Sequence, residues 1–464
     1  MKKKLLCLMI GIILVMSFSS CNKNEEKQGD NNEIEESSNK TNVKENETKD
    51  EEVEVITTPK TENPYDGISR IAITYNGDTK TQIGLSWYTP ESELFGNDIE
   101  IIEKATMKNL DIDYDIDCGQ AEYDEDSYYH QTIISGLKPN TEYFYRIGDK
   151  ASNKWSEYGS FKTAPDSVNE YKFVAVTDTQ SAHLPDAYFS TATMEKALEI
   201  AKDSAFILHG GDFVDEGDEE YLWLAQMNSA KEILMNNIIV PAVGNHEEEY
   251  HAYWQHFKVP HTNDHKTTGT YYSYDYGNVH YVVLDTNKVN DDETSYIDDE
   301  QLEWLKDDLE AAKNADFIIV SMHKGLYTAG EHSDNEKFAG EDGARLRVGK
   351  VFEDYGVDLV IQGHDHCPSI TKPIKQGKVS DDGVIYINTG SAGAKAYEFD
   401  ETFMPKEYYD LFSDICKYER PDDTYQNFAI IEVSKDKLTV KMYEMNLLIN
   451  ENNLYILKEF SIDK

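Results

Sequence analysis

Five short apolar runs alternate with helical patterns along the larger, carboxyl-terminal part of the chain. The runs YKFVAVT, AFILHG, NIIVPAVG, ADFIIVS and VDLVIQG are rich in β-branched residues, as buried strands are. Between them lie the stretches STATMEKALEIAKDS, EEYLWLAQMNSAKEILMNN, DDEQLEWLKDDLEAAKNA and ARLRVGKVFEDYG, which are typical of helices. Strands that alternate with helices predict βαβ units.

The amino-terminal part of the chain has a different pattern. RIAITYNG, TQIGLSWYT and TEYFYRIG alternate apolar and polar residues and are separated by turn signals such as NGD and LKPNT. This pattern predicts a small all-β sandwich over residues 64–165, which we interpret as a passive spacer. Towards the other end, NFAIIEVSKDKLTVKMYEM predicts a closing hairpin, and residues 400–425 predict a helical excursion at the rim of the fold.

Polar side chains follow each of the five apolar runs. They are Asp178 in VAVTDTQ, Asp212 in HGGDFVD, Asn245 and His246 in VGNHE, His323 in VSMH, and His364 and His366 in GHDH. In α/β folds, functional sites gather at the carboxyl ends of the strands. We therefore expect these side chains to meet at one site.

The residue types in these clusters indicate a metal centre. Taken singly, His323 is more often a packed histidine, and Asp212 after two glycines is ordinary turn chemistry. Taken together, carboxylate, amide and imidazole groups make a mixed oxygen and nitrogen ligand set, which suits Mn, Fe or Zn in hydrolysis. Asn245 is informative because structural zinc sites prefer Cys and His.

These motifs, in this order, resemble those of the calcineurin-like metallophosphoesterases, and among them the purple acid phosphatase branch. The resemblance covers residues 64–464, since ISGLKPNTEYFYRIG and SFKTAP are similar to the fibronectin-III-like domain that precedes the catalytic domain in that branch. It implies an α/β (α+β) metallophosphoesterase fold over residues 168–464, a two-layer β-sandwich flanked by helices. A dinuclear metal centre is then expected between the two sheets.

The resemblance also implies a role for each candidate residue. The first metal would be bound by Asp178 and His366, and Asp212 would bridge both metals. The second metal would be bound by Asn245, His323 and His364, while His246 and Asn245 would meet the substrate. His246 and Asp212 are the expected catalytic residues, and the two metals would be Fe, Mn or Zn.

Two positions depart from the family pattern. In purple acid phosphatases a tyrosine in GDxxY binds the ferric ion and gives the colour, whereas this chain has Asp215 there. Asp215 is either a further oxygen ligand or a group just outside the ligand shell, and a purple protein is not expected. Where related families have the histidine of DxH, this chain has Gln180.

The amino terminus indicates export. MKKK, the apolar LLCLMIGIILVM and SFSSC resemble a bacterial lipoprotein signal over residues 1–21, with Cys21 as the lipidated residue. The alternative is an ordinary cleaved signal and a secreted protein. Residues 22–63 are polar and acidic, which predicts a disordered tether. We expect a lipid-anchored protein outside the cytoplasm, in contact with the membrane through the anchor only.

Composition limits the partners. A formal net charge of −44 over 464 residues argues against nucleic-acid binding, which needs a basic surface.

Beyond the signal there are three cysteines, Cys118, Cys367 and Cys416; a bond between the last two and free thiols are both open. Composition does not determine the oligomeric state.

The sequence favours dinuclear-metal-dependent hydrolysis of small phosphate esters, most simply phosphomonoesters, by a metal-activated hydroxide. The alternatives are a phosphodiesterase for cyclic nucleotides or glycerophosphodiesters, a non-catalytic surface protein that binds a partner through its sandwich domain, and a metal scavenger. Two further histidines, His183 and His332, could reach a substrate, but a structural role is the more common one for such residues.

Overall fold

The computed structural model describes residues 56–90, 92, 95–168, 170–247, 252–260, 270–397, 399, 405–415, 425–448 and 453–464. The expected signal, Cys21 and most of the expected tether lie outside these residues. Residues 56–464 form one compact unit. Within the described part of the chain, no helix combines the length and apolarity that a membrane crossing requires.

The strands of the described chain, in order, are β1 (Ser69–Thr74), β2 (Gln82–Thr89), β3 (Asp98–Glu103), β4 (Lys108–Asn109), β5 (Ile116–Ala121), β6 (Asp124–Ser135), β7 (Glu142–Asp149), β8 (Lys154–Trp155), β9 (Gly159–Lys162), β10 (Glu170–Val176), β11 (Ile207–His209), β12 (Ile238–Pro241), β13 (Tyr272–Tyr276), β14 (Val279–Leu284), β15 (Phe317–Lys324), β16 (Leu359–Gly363), β17 (Ser369–Thr371), β18 (Ile374–Lys375), β19 (Lys378–Val379), β20 (Ile385–Asn388), β21 (Phe412–Ile415), β22 (Tyr425–Ser434), β23 (Lys437–Asn446) and β24 (Leu454–Asp463). The helices are α1 (Ala187–Ile200), α2 (Glu220–Ser229), α3 (Lys231–Leu234), α4 (Ala252–His256), α5 (Asp299–Ala311), α6 (Glu336–Ala339), α7 (Ala344–Tyr355) and α8 (Lys406–Tyr409), with a short 3₁₀ helix at Leu184–Asp186.

Two large sheets form the layers of the phosphoesterase-like part. One has the order β24-β23-β22-β10-β11-β12-β1-β2-β6-β5, and the other β13-β14-β15-β16-β20-β17-β21. Their inner faces share one apolar core, in which the ring centroids of Phe173 on β10 and Tyr281 on β14 are 5.6 Å apart. The outer face of the second sheet is covered by α5 and α7 through residues such as Leu305 and Val348. The two-layer sandwich flanked by helices is therefore confirmed.

The amino-terminal sandwich joins the first of these sheets. β1 pairs in parallel with β12, with Ile73 opposite Ile238 and Thr74 opposite Ile239. Its second layer is a separate sheet of β4, β3, β7 and β8, with β9 also paired to β7. The sandwich is therefore not a separate spacer, because its edge strand β1 pairs with β12, the edge strand of the other part, and the two parts share one continuous sheet.

A buried ion network also crosses this junction. Arg70 on β1 donates to Glu220 on α2 over 2.6 Å, and His256 on α4 places Nε2 3.0 Å from the same carboxylate oxygen. The Arg70 guanidinium lies 4.0 Å from the ring centroid of Tyr88. Burial raises the pKa of Glu220, but His256 and Arg70 outweigh it and hold that pKa below its ordinary value. The network thus ties the first strand of the sandwich to two helices of the other part.

The segment around residues 400–425 differs from the expected helical excursion. Only α8 is helical among its described residues, and FSDI then forms β21, which pairs with β17 at the edge of the second sheet. Ile415 pairs with Ser369 and Asp414 with Ile370, so strand pairing rather than a helix holds this segment. Cys416 lies outside the described residues, so the choice between a Cys367–Cys416 bond and free thiols stays open. The expected closing hairpin is present as β22 and β23, with β24 added at its edge.

Candidate metal centre

The predicted side chains stand at the carboxyl ends of parallel strands from both sheets. Asp178, Asp212 and Asn245 follow β10, β11 and β12, which are neighbours in the first sheet. His323 lies near the end of β15 and His364 directly follows β16, and these strands are neighbours in the second sheet. The sandwich therefore brings the two sets of strand ends together, as the sequence pattern predicts.

The carboxylates and imidazoles fall into two groups that share one residue. Asp178, Asp212 and His366 form one group, and Asp212, His323 and His364 the other, with the ligand atoms of each group within 4.8 Å of one another. Asp212 is the shared member, as expected for a carboxylate that bridges two ions. This division matches the one that the family resemblance implies.

Short contacts define the interior of the centre. Asp178 Oδ1 is 3.3 Å from His366 Nε2, and Asp212 Oδ2 is 3.1 Å from His323 Nε2. The side-chain oxygen of Asn245 lies 3.0 Å from the same nitrogen of His323. Asp178 and Asp212 are at most 1% exposed. Buried carboxylates are costly unless they are paired or coordinate metals, so this donor set fits two cations.

Backbone carbonyls fix the orientation of two of the imidazoles. His323 Nδ1 donates to the carbonyl of Gly210 over 2.9 Å, and His366 Nδ1 donates to that of Lys395 over 2.8 Å. A carbonyl can only accept, so Nδ1 carries a proton and Nε2 is the ring nitrogen left to face the centre. This is the usual arrangement of histidines that bind a metal.

The backbone is strained at three candidate ligands. Asp178, Asp212 and His364 have φ values of 53°, 55° and 69°, in the left-handed region that non-glycine residues rarely occupy. Gly211, at φ 99°, could not carry a side chain, because a Cβ there would lie 2.7 Å from His323 Nδ1. The polar residues thus terminate their strands in conformations that turn the side chains into the centre.

The charges of the centre reinforce one another. Burial raises the pKa of Asp212, but His323, and after it His246 and His364, outweigh burial and hold that pKa well below its usual range. Burial lowers the pKa of His323, whereas Asp212 raises it to about 9. Burial is also the largest cause that holds the pKa of His364 well below its ordinary value. The shared carboxylate is therefore ionised in the folded chain.

His246 stands beside the centre and remains reachable from solvent. Its Nε2 is 3.8 Å from Asp212 Oδ2, and its backbone N–H donates to Asp212 Oδ1 over 3.1 Å. Its Nδ1 donates to the carbonyl of Asp215 over 2.5 Å, which leaves Nε2 facing the centre. The side chain is 27% exposed, so a substrate can approach it.

Asp215 and Gln180 pack against His246. Gln180 Nε2 lies 3.1 Å from Asp215 Oδ1 and 3.3 Å from His246 Nε2. The ammonium of Lys395 is 3.7 Å from the same oxygen of Asp215. Among the described residues, Asp215 belongs to neither ligand group, and its role as a ligand stays a prediction.

Glu247 is a positioning residue that sequence reasoning missed. Its buried carboxylate accepts hydrogen bonds from the backbone N–H groups of Phe213 at 2.7 Å, Gly244 at 2.9 Å and Asp212 at 3.2 Å. Burial, and then Asp212, raise the pKa of Glu247 to about 7. The available signal was an acidic residue directly after GNH, in a loop between apolar strands. The carboxylate clamps the Asp212 loop to the loop that carries Asn245.

Two aromatic rings cover the histidine ligands. The rings of His332 and His364 stack with centroids 4.3 Å apart, and Tyr397 stacks on His366, also at 4.3 Å. The sequence favoured a structural role for His332, but the structure places it against a candidate ligand. His183 instead precedes the 3₁₀ helix, where its backbone N–H donates to Asp186.

Comparison with known proteins agrees with this geometry. Residues 171–368 match the family model of the calcineurin-like phosphoesterases, and residues 68–163 match that of the purple acid phosphatase N-terminal domain. The chain contains both domains. The matched part of the phosphoesterase domain includes every predicted ligand, from Asp178 to His366. The family resemblance inferred from the motifs is confirmed.

Several relatives are similar to somewhat more than half of the chain. Purple acid phosphatase 22 of Arabidopsis thaliana is 28% identical over 57% of this chain and 58% of its own length. Acid phosphatase type 7 of Danio rerio is 26% identical over 60% of this chain and 67% of its own. The chain thus spans about three fifths of the length of the Arabidopsis relative. A solved purple acid phosphatase from yellow lupin seeds shares the fold, with a TM-score of 0.70 and 17% identity over 86% of this chain and 74% of that one.

Proposed function

We propose that the protein hydrolyses phosphomonoesters with two metal ions bound in the phosphoesterase domain. The observation that carries the proposal is Asp212, which is shared by two adjoining groups of buried carboxylate and imidazole ligands. A structural metal site has no need for two adjoining ions or for an exposed histidine beside them. Relatives named as acid phosphatases support the same reaction class.

The donor set fits the metals that this reaction needs. Asp178 and His366 would hold one ion, His323, His364 and Asn245 the other, and Asp212 both. When bound, the two ions would acidify water and neutralise phosphoryl oxygens. Asn245 adds an oxygen without adding a negative charge, which limits the charge of a site already rich in carboxylates. Fe, Mn and Zn all suit such a mixed set.

His246 is proposed as the group that handles the leaving oxygen. Its Nδ1 is occupied by the carbonyl of Asp215, so Nε2, the nitrogen that faces Asp212, is the one that can exchange a proton with a substrate. A histidine that donates from this position can protonate the departing alkoxide. Gln180, 3.3 Å away, holds the ring in place.

The decisive experiment compares turnover of p-nitrophenyl phosphate and bis-p-nitrophenyl phosphate by the purified protein, stripped and reloaded with Mn, Fe or Zn. We expect metal-dependent hydrolysis that favours the monoester and is lost in Asp212→Asn. Preference for the diester would replace the proposal by a phosphodiesterase. A folded, metal-loaded protein that hydrolyses neither ester would leave a binding protein or a metal scavenger.

We further propose that the protein is anchored outside the cytoplasm by a lipid on Cys21. The support is the sequence of residues 1–21 and the polar segment that follows. Metabolic labelling with a fatty acid should mark the protein, and Cys21→Ala should abolish the label. Export without labelling would favour the secreted form.

A further inference from the structure

Lys395 lies at the rim of the centre, where both its backbone and its side chain contact neighbouring residues. Its backbone carbonyl accepts the hydrogen bond that orients His366. Its ammonium lies 3.7 Å from Asp215 and 5.9 Å from the ring centroid of Tyr397. The side chain is 44% exposed. Lys395 is therefore anchored beside the ligands yet open to a molecule that enters from solvent.

Asp215 connects this ammonium to the group that faces the substrate. The same carboxylate oxygen that approaches Lys395 also accepts from Gln180, whose amide nitrogen lies 3.3 Å from His246 Nε2. A continuous set of contacts thus runs from Lys395 to His246, and from there to Asp212. Where purple acid phosphatases have a tyrosine ligand, this chain has a carboxylate that holds a lysine.

The negative charge of the protein explains why a lysine at this position would help to bind a phosphate ester. A formal charge of −44 repels phosphate esters at long range, so local positive charge must hold them. An ammonium has three donors, and its contact with Asp215 leaves others for phosphate oxygens. Because the contact also restrains a flexible side chain, less conformational entropy is lost when substrate binds.

We infer that Lys395, held by Asp215, binds the substrate's phosphate group and selects phosphomonoesters over diesters. A monoester carries two negative charges and three non-bridging oxygens, whereas a diester carries one charge and two. A point charge at the rim therefore favours the monoester. The inference rests on the proposed phosphoesterase activity and names a specificity-determining pair within it.

The first test replaces Lys395 by Met, which keeps the length of the side chain and removes the charge. We expect kcat/KM for p-nitrophenyl phosphate, and the affinity for inorganic phosphate measured by calorimetry, to fall about 10- to 100-fold, as for loss of a charge-assisted hydrogen bond. Turnover of the diester should fall less, and Lys395→Arg should restore most of the monoester activity. Lys313→Met, which removes an exposed lysine paired with Glu310 on another face, is the control for net charge.

The second test separates the lysine-holding role of Asp215 from a role as ligand. In Asp215→Asn, the metal content measured by elemental analysis should stay the same as in the wild type. The double variant Asp215→Asn with Lys395→Met should lose no more monoester activity than Lys395→Met alone. A drop in metal content, equal losses for both esters, or unchanged phosphate affinity in Lys395→Met would each overturn the inference. If the wild-type protein binds phosphate through Lys395 but hydrolyses neither ester, the proposed function fails while the phosphate site stands.

Discussion

Replacing Glu220 by Gln should destabilise the protein by about 3 kcal/mol, at the lower end of the range for breaking a buried ion pair. Glu220 and Arg70 are 5% and 4% exposed, so the substitution leaves a buried guanidinium without its main partner. Asp124, 3.7 Å from Arg70 and 31% exposed, compensates part of the charge, which places the cost at the lower end. The His256 contact is weakened as well.

Urea unfolding followed by circular dichroism measures this cost directly. The matched control is Glu142→Gln, which removes a partner of Lys104 at 2.5 Å, with side chains 48% and 35% exposed. At that exposure an ion pair contributes ~0–1 kcal/mol. If Glu220→Gln costs no more than the control, burial does not set the strength of this network and the reasoning is wrong. A loss confined to one of two unfolding transitions would show that the network acts within one domain only.

Three further outcomes are expected. Burial lowers the pKa of His280, but Asp275 and Asp308 raise it to about 9, so the stabilisation from protonated His280 is complete below pH 6.5 and is lost as the pH rises through 9. In urea unfolding, His280→Gln should therefore cost on the order of 2 kcal/mol at pH 6, allowing for the exposed Asp275, and almost nothing at pH 10. An equal cost at both pH values would contradict this. Glu247→Gln should weaken metal binding about 10- to 100-fold in competition with a chelator, because the carboxylate that fixes the Asp212 loop is lost, and unchanged affinity would remove its positioning role. Protein loaded with ferric iron should show no strong visible absorption band, since Asp215 replaces the tyrosine ligand, and a purple product would point to another phenolate ligand.

The ligand positions were predictable because they combine two local signals. Asp178 and Asp212 each follow an apolar, β-branched run, and in parallel strands that order determines the edge of the sheet on which a side chain lies. The left-handed conformations of these two residues had no counterpart in the sequence pattern beyond the glycine before Asp212. The ligands of the centre could therefore be predicted from the sequence, but the strained backbone conformations of these ligands could not.

Features that depend on distant partners were not predictable. The pairing of Ile73 with Ile238 depends on the open edge of β12, which is distant from β1 in the sequence. No local pattern in β1 predicts this pairing. The hydrogen bonds of Glu247 go to backbone groups, which carry no residue identity. The strand at FSDI is too short for its alternation to outweigh the helical pattern around it.

The shared sheet has a consequence for how the protein is made. The chain is synthesised from its amino terminus, so β1 and its sandwich emerge well before β12, the strand that completes their layer. β10, which lies on the other side of the same sheet, pairs with β22, and β22 is synthesised only near the carboxyl terminus. Pairings across such separations slow folding and leave unpaired strand edges exposed in the meantime. A polypeptide released early, before β22, would present an open edge at β10 and is the form most prone to aggregate.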